Sequence, residues 1–302
     1  MKKFTGVLIL LIVGALLSCP KPTSSPSKAW VVSTFAGDGA GASAQFNSPF
    51  GVAVDAAGNV YVADTSNHRI RKIIPEGVVS TLAGTGRAGD SVSGVTEAQF
   101  NNPMDLAVDA AGNLYVADTF NNKIRKIVPA EGGGVNVSTL AGIGSAGSED
   151  GDGTTAAEFN NPRGVAVDAS GNVYVADEGS SLIRKITTDG GVRVSTFAGG
   201  STSSNTDGAG TTAAKFRNPY GVAVDAAGNV YVADYNNHLI RKITPEGLVS
   251  TIAGDGESGF RDGAGATARF NRPAGVAVDA AGNLYVADKD NARIRKIEYK
   301  LP

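Results

Sequence analysis

A prolyl landmark recurs at Pro49, Pro103, Pro162, Pro219 and Pro273, at spacings of 54, 59, 57 and 54 residues, and much the same sequence follows it each time. First comes a segment of the Gly-Val-Ala-Val-Asp type (51–55, 105–109, 164–168, 221–225, 275–279). A turn of the form Ala-Ala-Gly-Asn then leads into Val/Leu-Tyr-Val-Ala-Asp (60–64, 114–118, 173–177, 230–234, 284–288). Ile-Arg-Lys-Ile follows (70–73, 124–127, 183–186, 240–243, 294–297), and a short turn such as Pro75-Glu76-Gly77 precedes Val-Ser-Thr-Leu/Phe/Ile-Ala-Gly. Self-similarity at this period marks a repeat architecture, in which one unit cannot bury its faces alone and neighbours must cover it.

Each repeat holds four strand-length pieces, A to D. In A and B both alternating positions are apolar, as in Val60-Tyr61-Val62-Ala63, so the sheet must be covered on both faces. A propeller blade, held between two neighbouring blades, meets that requirement. A parallel α/β fold would also meet it, but no segment after residue 30 has the long amphipathic pattern of a crossover helix. Forty glycines and the recurrent Gly-Asn and Asp-Gly pairs fit short strands joined by tight turns. Piece D first appears at 32–37, before any A strand, whereas the last repeat ends at Ile297-Glu298-Tyr299 without one. The fold expected is an all-β propeller of five four-stranded blades, a monomeric ring closed by strand 31–37 pairing into the last blade and so removing two sheet edges.

The N-terminus reads as an export signal. Lys2 and Lys3 precede an apolar run from Val7 to Leu17, too short to span a bilayer of ~30 Å, and Ser18-Cys19 follows. Leu16-Leu17-Ser18-Cys19 resembles the lipobox of bacterial lipoproteins, which implies cleavage before Cys19 and its acylation; an ordinary signal peptide with an incidental thiol is the alternative. Residues 20–29 hold three prolines and nothing apolar larger than Ala, a composition suited to an extended tether. The expected division is a signal peptide at 1–18, lipidated Cys19 with its tether at 19–29, and a propeller at 30–302. Localisation follows: the bacterial cell envelope, at the outer membrane or cell surface, with acyl chains on Cys19 in the membrane. Formal net charge is −2, which gives no compositional support for a nucleic-acid partner.

Asn237-His238-Leu239 followed by Ile240-Arg241 resembles the signature of NHL repeats, and Asn67-His68-Arg69-Ile70 is a close variant. The preceding Tyr-Val-Ala-Asp and Pro-x-Gly-Val-Ala-Val-Asp segments match that family too, and the resemblance covers residues 31 to 299. It implies a propeller fold. For function it implies a range, from protein-binding and RNA-binding modules and sensor domains to a few metal-dependent lyases. Six blades are common in that family, so five repeats depart from its pattern.

Candidate chemistry is sparse. His68 and His238 occupy one position of two repeats; they are read as metal ligands or as histidines bonded within their own blade. The several metal-binding histidines that the resemblance associates with amidating lyases are missing. Asp64, Asp118, Asp177, Asp234 and Asp288, with Arg71, Arg125, Arg184, Arg241 and Arg295, recur in every repeat and are expected to satisfy turn amides or pair with one another. The D-to-A loops carry Asp-Gly pairs (Asp38, Asp150, Asp207, Asp262), read as caps of a short helical turn in preference to calcium ligands. Phe46, Phe100, Phe159, Phe216 and Phe270 are expected to plug the gaps between blades. No Ser/His/Asp or Cys/His set can be assembled, and no metal or cofactor is assigned.

Where repeats differ, the blade does not dictate the residue. The position after the landmark proline reads Phe50, Met104, Arg163, Tyr220 and Ala274, and the B-to-C loops vary widely, with Phe120 and Tyr235 among them. Both sets, with the D-to-A loops, emerge on one face. Phe50, Met104, Phe120, Arg163, Tyr220 and Tyr235 are therefore the expected ligand-binding face. The function expected is a non-enzymatic lipid-anchored scaffold binding a protein or glycan. The alternative is a metal-dependent lyase or lactonase with its site in the central channel. RNA binding conflicts with export and acidity.

Overall fold

The computed structural model describes residues 35–37, 45–92, 97–200 and 202–298. The signal segment, Cys19, the tether and residues 31–34 of the expected closing strand lie outside them.

Each repeat folds as an antiparallel meander. The A strands are Pro49–Val54, Pro103–Val108, Pro162–Val167, Pro219–Val224 and Pro273–Val278; the B strands are Val60–Asp64, Leu114–Asp118, Val173–Asp177, Val230–Asp234 and Leu284–Asp288. The C strands are Arg69–Ile73, Lys123–Pro129, Leu182–Thr187, Leu239–Ile243 and Arg293–Ile297; the D strands are Val79–Ala83, Val135–Ala141, Arg193–Gly199 and Leu248–Ala253. A pairs with B, B with C and C with D, and the chain is a five-bladed all-β propeller on a four-stranded plan. Two blades gain a two-residue outer strand from the preceding loop, Gly151–Asp152 on the third and Gly208–Ala209 on the fourth, which shortens the open edge.

The near-constant A-to-B turn has a mechanical cause. Asp55 Oδ1 accepts the amides of Ala57 and Asn59, each at 2.9 Å, and Oδ2 accepts Asn59 Nδ2 at 2.7 Å and the Tyr61 hydroxyl at 3.0 Å. Gly58 takes φ +81°, a conformation costly for a residue with a Cβ. One carboxylate thus organises the whole hairpin, and Asp109, Asp168, Asp225 and Asp279 repeat the arrangement.

Blades stack face to face through apolar side chains. Tyr61, Ala63 and Ile70 of the first blade pack on Leu106, Leu114, Val116 and Ile127 of the second, and the pattern recurs at the next three junctions. Phe100, Phe159, Phe216 and Phe270 are buried in these seams as expected. Phe46, whose position precedes the first blade, is only half-buried.

The junction between the last and first blades differs. Ile70, Ile124, Ile183 and Ile240 are fully buried, whereas Ile294 is 74% exposed; Leu106, Val165 and Val222 are buried, whereas Val52 is 63% exposed. Fully burying such a side chain is worth roughly 1.5–3 kcal/mol, and here that gain is not realised. Glycine contacts report the same opening. A Cβ on Gly164 would lie 2.2 Å from the Tyr220 carbonyl and one on Gly221 2.7 Å from the Ala274 carbonyl, but Gly275 meets no atom of the first blade within 4 Å. Among the described residues the last blade has three strands. Phe35 rests against the first blade, its carbonyl 3.2 Å from where a Cβ on Gly77 would stand.

Candidate functional site

The A strands of consecutive blades lie side by side around the axis, from the first blade to the fifth. Their close approach requires glycine two residues after the landmark proline, which explains Gly51, Gly164 and Gly221. The second repeat has Asp105 there instead. Its Oδ2 accepts the Val165 amide at 3.1 Å, and its Oδ1 occupies the space beside Gly51, 2.4 Å from where a Cβ would be. Desolvation between the A strands pushes the Asp105 carboxyl up to about 7, against the pull of the Val165 and Leu106 amides. Asp105 was not among the residues expected at the site, although its departure from Gly is visible in the sequence.

The residues after the prolines form a row at the axial mouth. The Arg163 guanidinium lies 4.3 Å above the Tyr220 ring, and Tyr220 stacks on Tyr235 at 4.0 Å with 9° between planes. Arg163 Nε bonds Glu178 Oε2 at 3.1 Å, and Nη1 reaches Met104 Sδ at 3.2 Å. At the other end Lys289 Nζ donates to the Tyr235 hydroxyl at 2.9 Å, and that bond raises the lysine pKa. Four blades contribute, so the expected Met104, Arg163, Tyr220 and Tyr235 do come together. Glu178 and Lys289, both at the first position of a B-to-C loop, complete the row and were not singled out from sequence. Tyr235 is only 8% exposed and props Tyr220 from below. Phe50 is 49% exposed beside the row, whereas Phe120 projects from its own loop at 52%.

A cleft of about 290 Å³ runs outward from this mouth. Arg163, Tyr220 and Asp105 line its inner end, and Val52, Ala277, Tyr285, Ala287 and Ile294 line it along the open junction. The cleft offers apolar walls, one guanidinium already oriented by Glu178, and one carboxyl. Apolar walls with a few convergent polar groups are the chemistry of a ligand site. Among the described residues no three of His, Cys, Asp or Glu gather closely enough to hold a metal ion.

The recurrent polar residues are structural. Arg241 Nη1 bonds Asp234 at 2.7 Å and the Lys215 carbonyl at 2.9 Å; Nη2 bonds Asp207 at 2.6 Å and the Thr206 carbonyl at 2.8 Å. Arg184 and Arg295 do likewise with Asp177 and Asp150, and with Asp288 and Asp262. Arg125 joins Asp118 and Asp90. Burial pushes the carboxyls of Asp118, Asp177 and Asp234 upward, and the arginine charges and amide donors pull them back. The loop residues Asp150, Asp207 and Asp262 are thus arginine partners and not helix caps, since a loop crossing onto the next blade meets a buried guanidinium with donors left to satisfy. Capping of a turn falls to Asp152, which accepts the amides of Thr154 and Thr155. The histidines, too, differ from expectation: His68 and His238 accept amides of the following blade, at Asn102 and Arg272, and not of their own. B-to-C and D-to-A loops share a face as expected, tied by Asn121 to Gly89, Asn237 to Ser204 and Asn291 to Gly259.

A family model described as NHL repeat matches residues 46–73, 159–186, 216–243 and 270–297. The chain is similar to Protein SUPPRESSOR OF QUENCHING 1, chloroplastic, of Arabidopsis thaliana, with 34% identity over 278 residues, 86% of this chain and 26% of that protein. It is 31% identical to human NHL repeat-containing protein 2 over 297 residues, covering 86% of this chain and 40% of that one. The chain therefore spans well under half the length of these relatives. Among solved structures, an auxiliary nutrient binding protein from Bacteroides thetaiotaomicron superposes with a TM-score of 0.64 at 20% identity, over 85% of this chain and 60% of that one. Its counterpart from Bacteroides ovatus gives 0.63 at 22% identity, over 84% and 59%.

Proposed function

The chain belongs to the NHL-repeat β-propeller proteins, and from that premise we propose that it is an exported, lipid-anchored, non-enzymatic module that binds a protein or glycan at its loop face. The observation that carries this reading is the row Met104–Arg163–Tyr220–Tyr235–Lys289. Four blades hold its side chains in fixed contact before any ligand arrives. Nothing in the repeat demands these residues, because the post-proline position elsewhere carries Phe50 and Ala274 and the first B-to-C position carries Thr65 and Thr119. Preorganised aromatic and guanidinium groups bind at low entropic cost. Acyl chains on Cys19 would hold the module at the bacterial outer membrane or cell surface. The nutrient-binding neighbours support a role in capture.

The test uses the full chain in detergent against a glycan array and purified envelope proteins. Changing Phe50, Phe120, Arg163 and Tyr220 together to Ala should abolish any binding the native chain shows, with the thermal transition retained. Unchanged binding would overturn the loop-face reading. Metal analysis separates it from a channel enzyme, since a stoichiometric divalent ion lost on chelation would contradict a pure binding module. Radiolabelled palmitate incorporation, absent in Cys19→Ser, tests the anchor.

A further inference from the structure

We propose that the open junction between the fifth and first blades is a docking cleft for an acidic, apolar β-hairpin of a partner protein, an inference that rests on the binding-module reading and specifies its occupant. One wall is Tyr285, Ala287 and Ile294; the other is Val52 and Val54, and apart from half-buried Ala287 these side chains are 40–74% exposed.

The molecule itself shows what covers such a wall. At the first junction the equivalents of Tyr285, Ala287 and Ile294, namely Tyr61, Ala63 and Ile70, are covered by Leu106, Leu114 and Val116 of the next A and B strands. The next three junctions repeat the solution with branched aliphatic side chains. The matching cover for the two open walls is therefore an antiparallel pair of strands with apolar residues on both faces, which is polypeptide chemistry.

The latches that seal the other junctions are missing at this one. His68, Asn122, Ser181 and His238, all at the left-handed residue after the B-to-C turn, accept an amide of the next blade. The fifth blade has Ala292 at that position, with no acceptor to offer. The opening is thus written into the side chains.

Charge sets the rest. Where the cleft reaches the loop face it is bordered by Lys289 and Arg293. Arg293 stacks on Phe260 at 4.1 Å and has no carboxylate partner among the described residues. Lys289 shares Asp290 with Arg272, so the border is net positive and favours acidic ends on the incoming hairpin.

A suitable probe is a cyclised, fluorescein-labelled copy of residues 103–118. It carries Leu106, Leu114 and Val116 with Asp105, Asp109 and Asp118. Fluorescence polarisation against the lipidated chain in detergent should show saturable binding. Val52→Asn with Ile294→Asn, both at exposed positions, should weaken it at least tenfold, and Arg293→Gln should weaken it severalfold with a reduced salt dependence. A hairpin with Lys for Asp105 and Asp118, and with Asp109 kept because its carboxylate holds the turn, should bind at least severalfold more weakly. Loss of loop-face binding with hairpin binding intact would sink the loop-face ligand alone; the converse would sink the seam alone. No binding, or binding indifferent to the seam substitutions, overturns the proposal. So does a chain that sediments as a dimer until Val52 and Ile294 are changed, because the occupant is then a second copy. Ile294→Cys must react with a maleimide as fast as a surface thiol; protection in the monomer would mean that the chain covers its own seam.

Discussion

His238 Nδ1 accepts the backbone N–H of Arg272 at 3.1 Å and so fastens the fourth blade to the fifth. The amide can only donate, so the proton of the neutral ring resides on Nε2. Desolvation first, then the charges of Arg272 and Arg217, lower the His238 pKa from its ordinary 6.5.

The sign of the pH effect follows. A base whose pKa is lower when folded contributes its full stability above 6.5 and loses it as pH falls from there through the folded value. His238→Asn should keep the acceptor, as Asn122 does toward Asn161, while removing this pH dependence. His238→Ala should cost about 1 kcal/mol at pH 8, the worth of one hydrogen bond. Urea unfolding of the three proteins at pH 8 and pH 5 distinguishes these outcomes; an acid sensitivity unchanged in the Asn variant would refute the assignment.

Asp105 titrates in the opposite sense. Its folded pKa, about 7, exceeds the ordinary 3.8, so the neutral form is favoured by folding. The chain should therefore lose stability as pH rises from about 4 to above 7. Asp105→Asn, which can still accept the Val165 amide, should be more stable than the native chain at pH 8 and indistinguishable near pH 4. Denaturant midpoints across that range give the measurement, and equal midpoints at pH 8 would contradict a crowded, desolvated carboxyl.

The repeat register made the fold legible from sequence. Glycines and prolines at fixed offsets defined the strands, and the constant Asp-Ala-Ala-Gly-Asn turn, now seen as a single carboxylate network, defined the hairpins. The variable positions pointed to the mouth, because Met104, Arg163 and Tyr220 had no repeat-wide role. The polar partners that a loop finds across a blade boundary were not legible. His68 looked local, since a sequence gives no measure of where the next blade's amide falls, and Asp207 looked like a cap because its Arg241 partner lies 34 residues away. Lys289 was hidden for a related reason, as its value comes from the hydroxyl of Tyr235 on a neighbouring blade.

The Tyr235 hydroxyl tests how the row is held. Tyr235→Phe keeps the ring that supports Tyr220 but removes the oxygen that raises the Lys289 pKa. The lysine pKa should fall toward 10.5, read by NMR titration of a selectively labelled Lys side chain, while near-ultraviolet dichroism from the Tyr220 stack stays. Tyr235→Ala should abolish both. A Lys289 pKa unmoved by the Phe variant would mean that Asp290, and not the hydroxyl, sets its charge.

The arginine brackets predict an asymmetry between their two carboxylates. Asp234 is fully buried with Arg241, whereas Asp207 is 46% exposed in the loop. Asp234→Ala leaves the Arg241 guanidinium buried beside a hole, and it also strips the Arg217 amide and Asn237 of their acceptor. A loss of about 3–5 kcal/mol is expected, as for other broken buried pairs. Asp207→Ala removes a carboxylate that water can replace, so about 1 kcal/mol is expected, with added mobility in the loop that also holds the Thr251 amide. Arg241→Lys cannot reach both carboxylates and the Lys215 and Thr206 carbonyls with a single ammonium, so it should fall closer to Asp234→Ala than to Asp207→Ala. Guanidinium unfolding of the three variants ranks them, and equal losses for Asp207→Ala and Asp234→Ala would show that the loop carboxylate is as desolvated as the inner one.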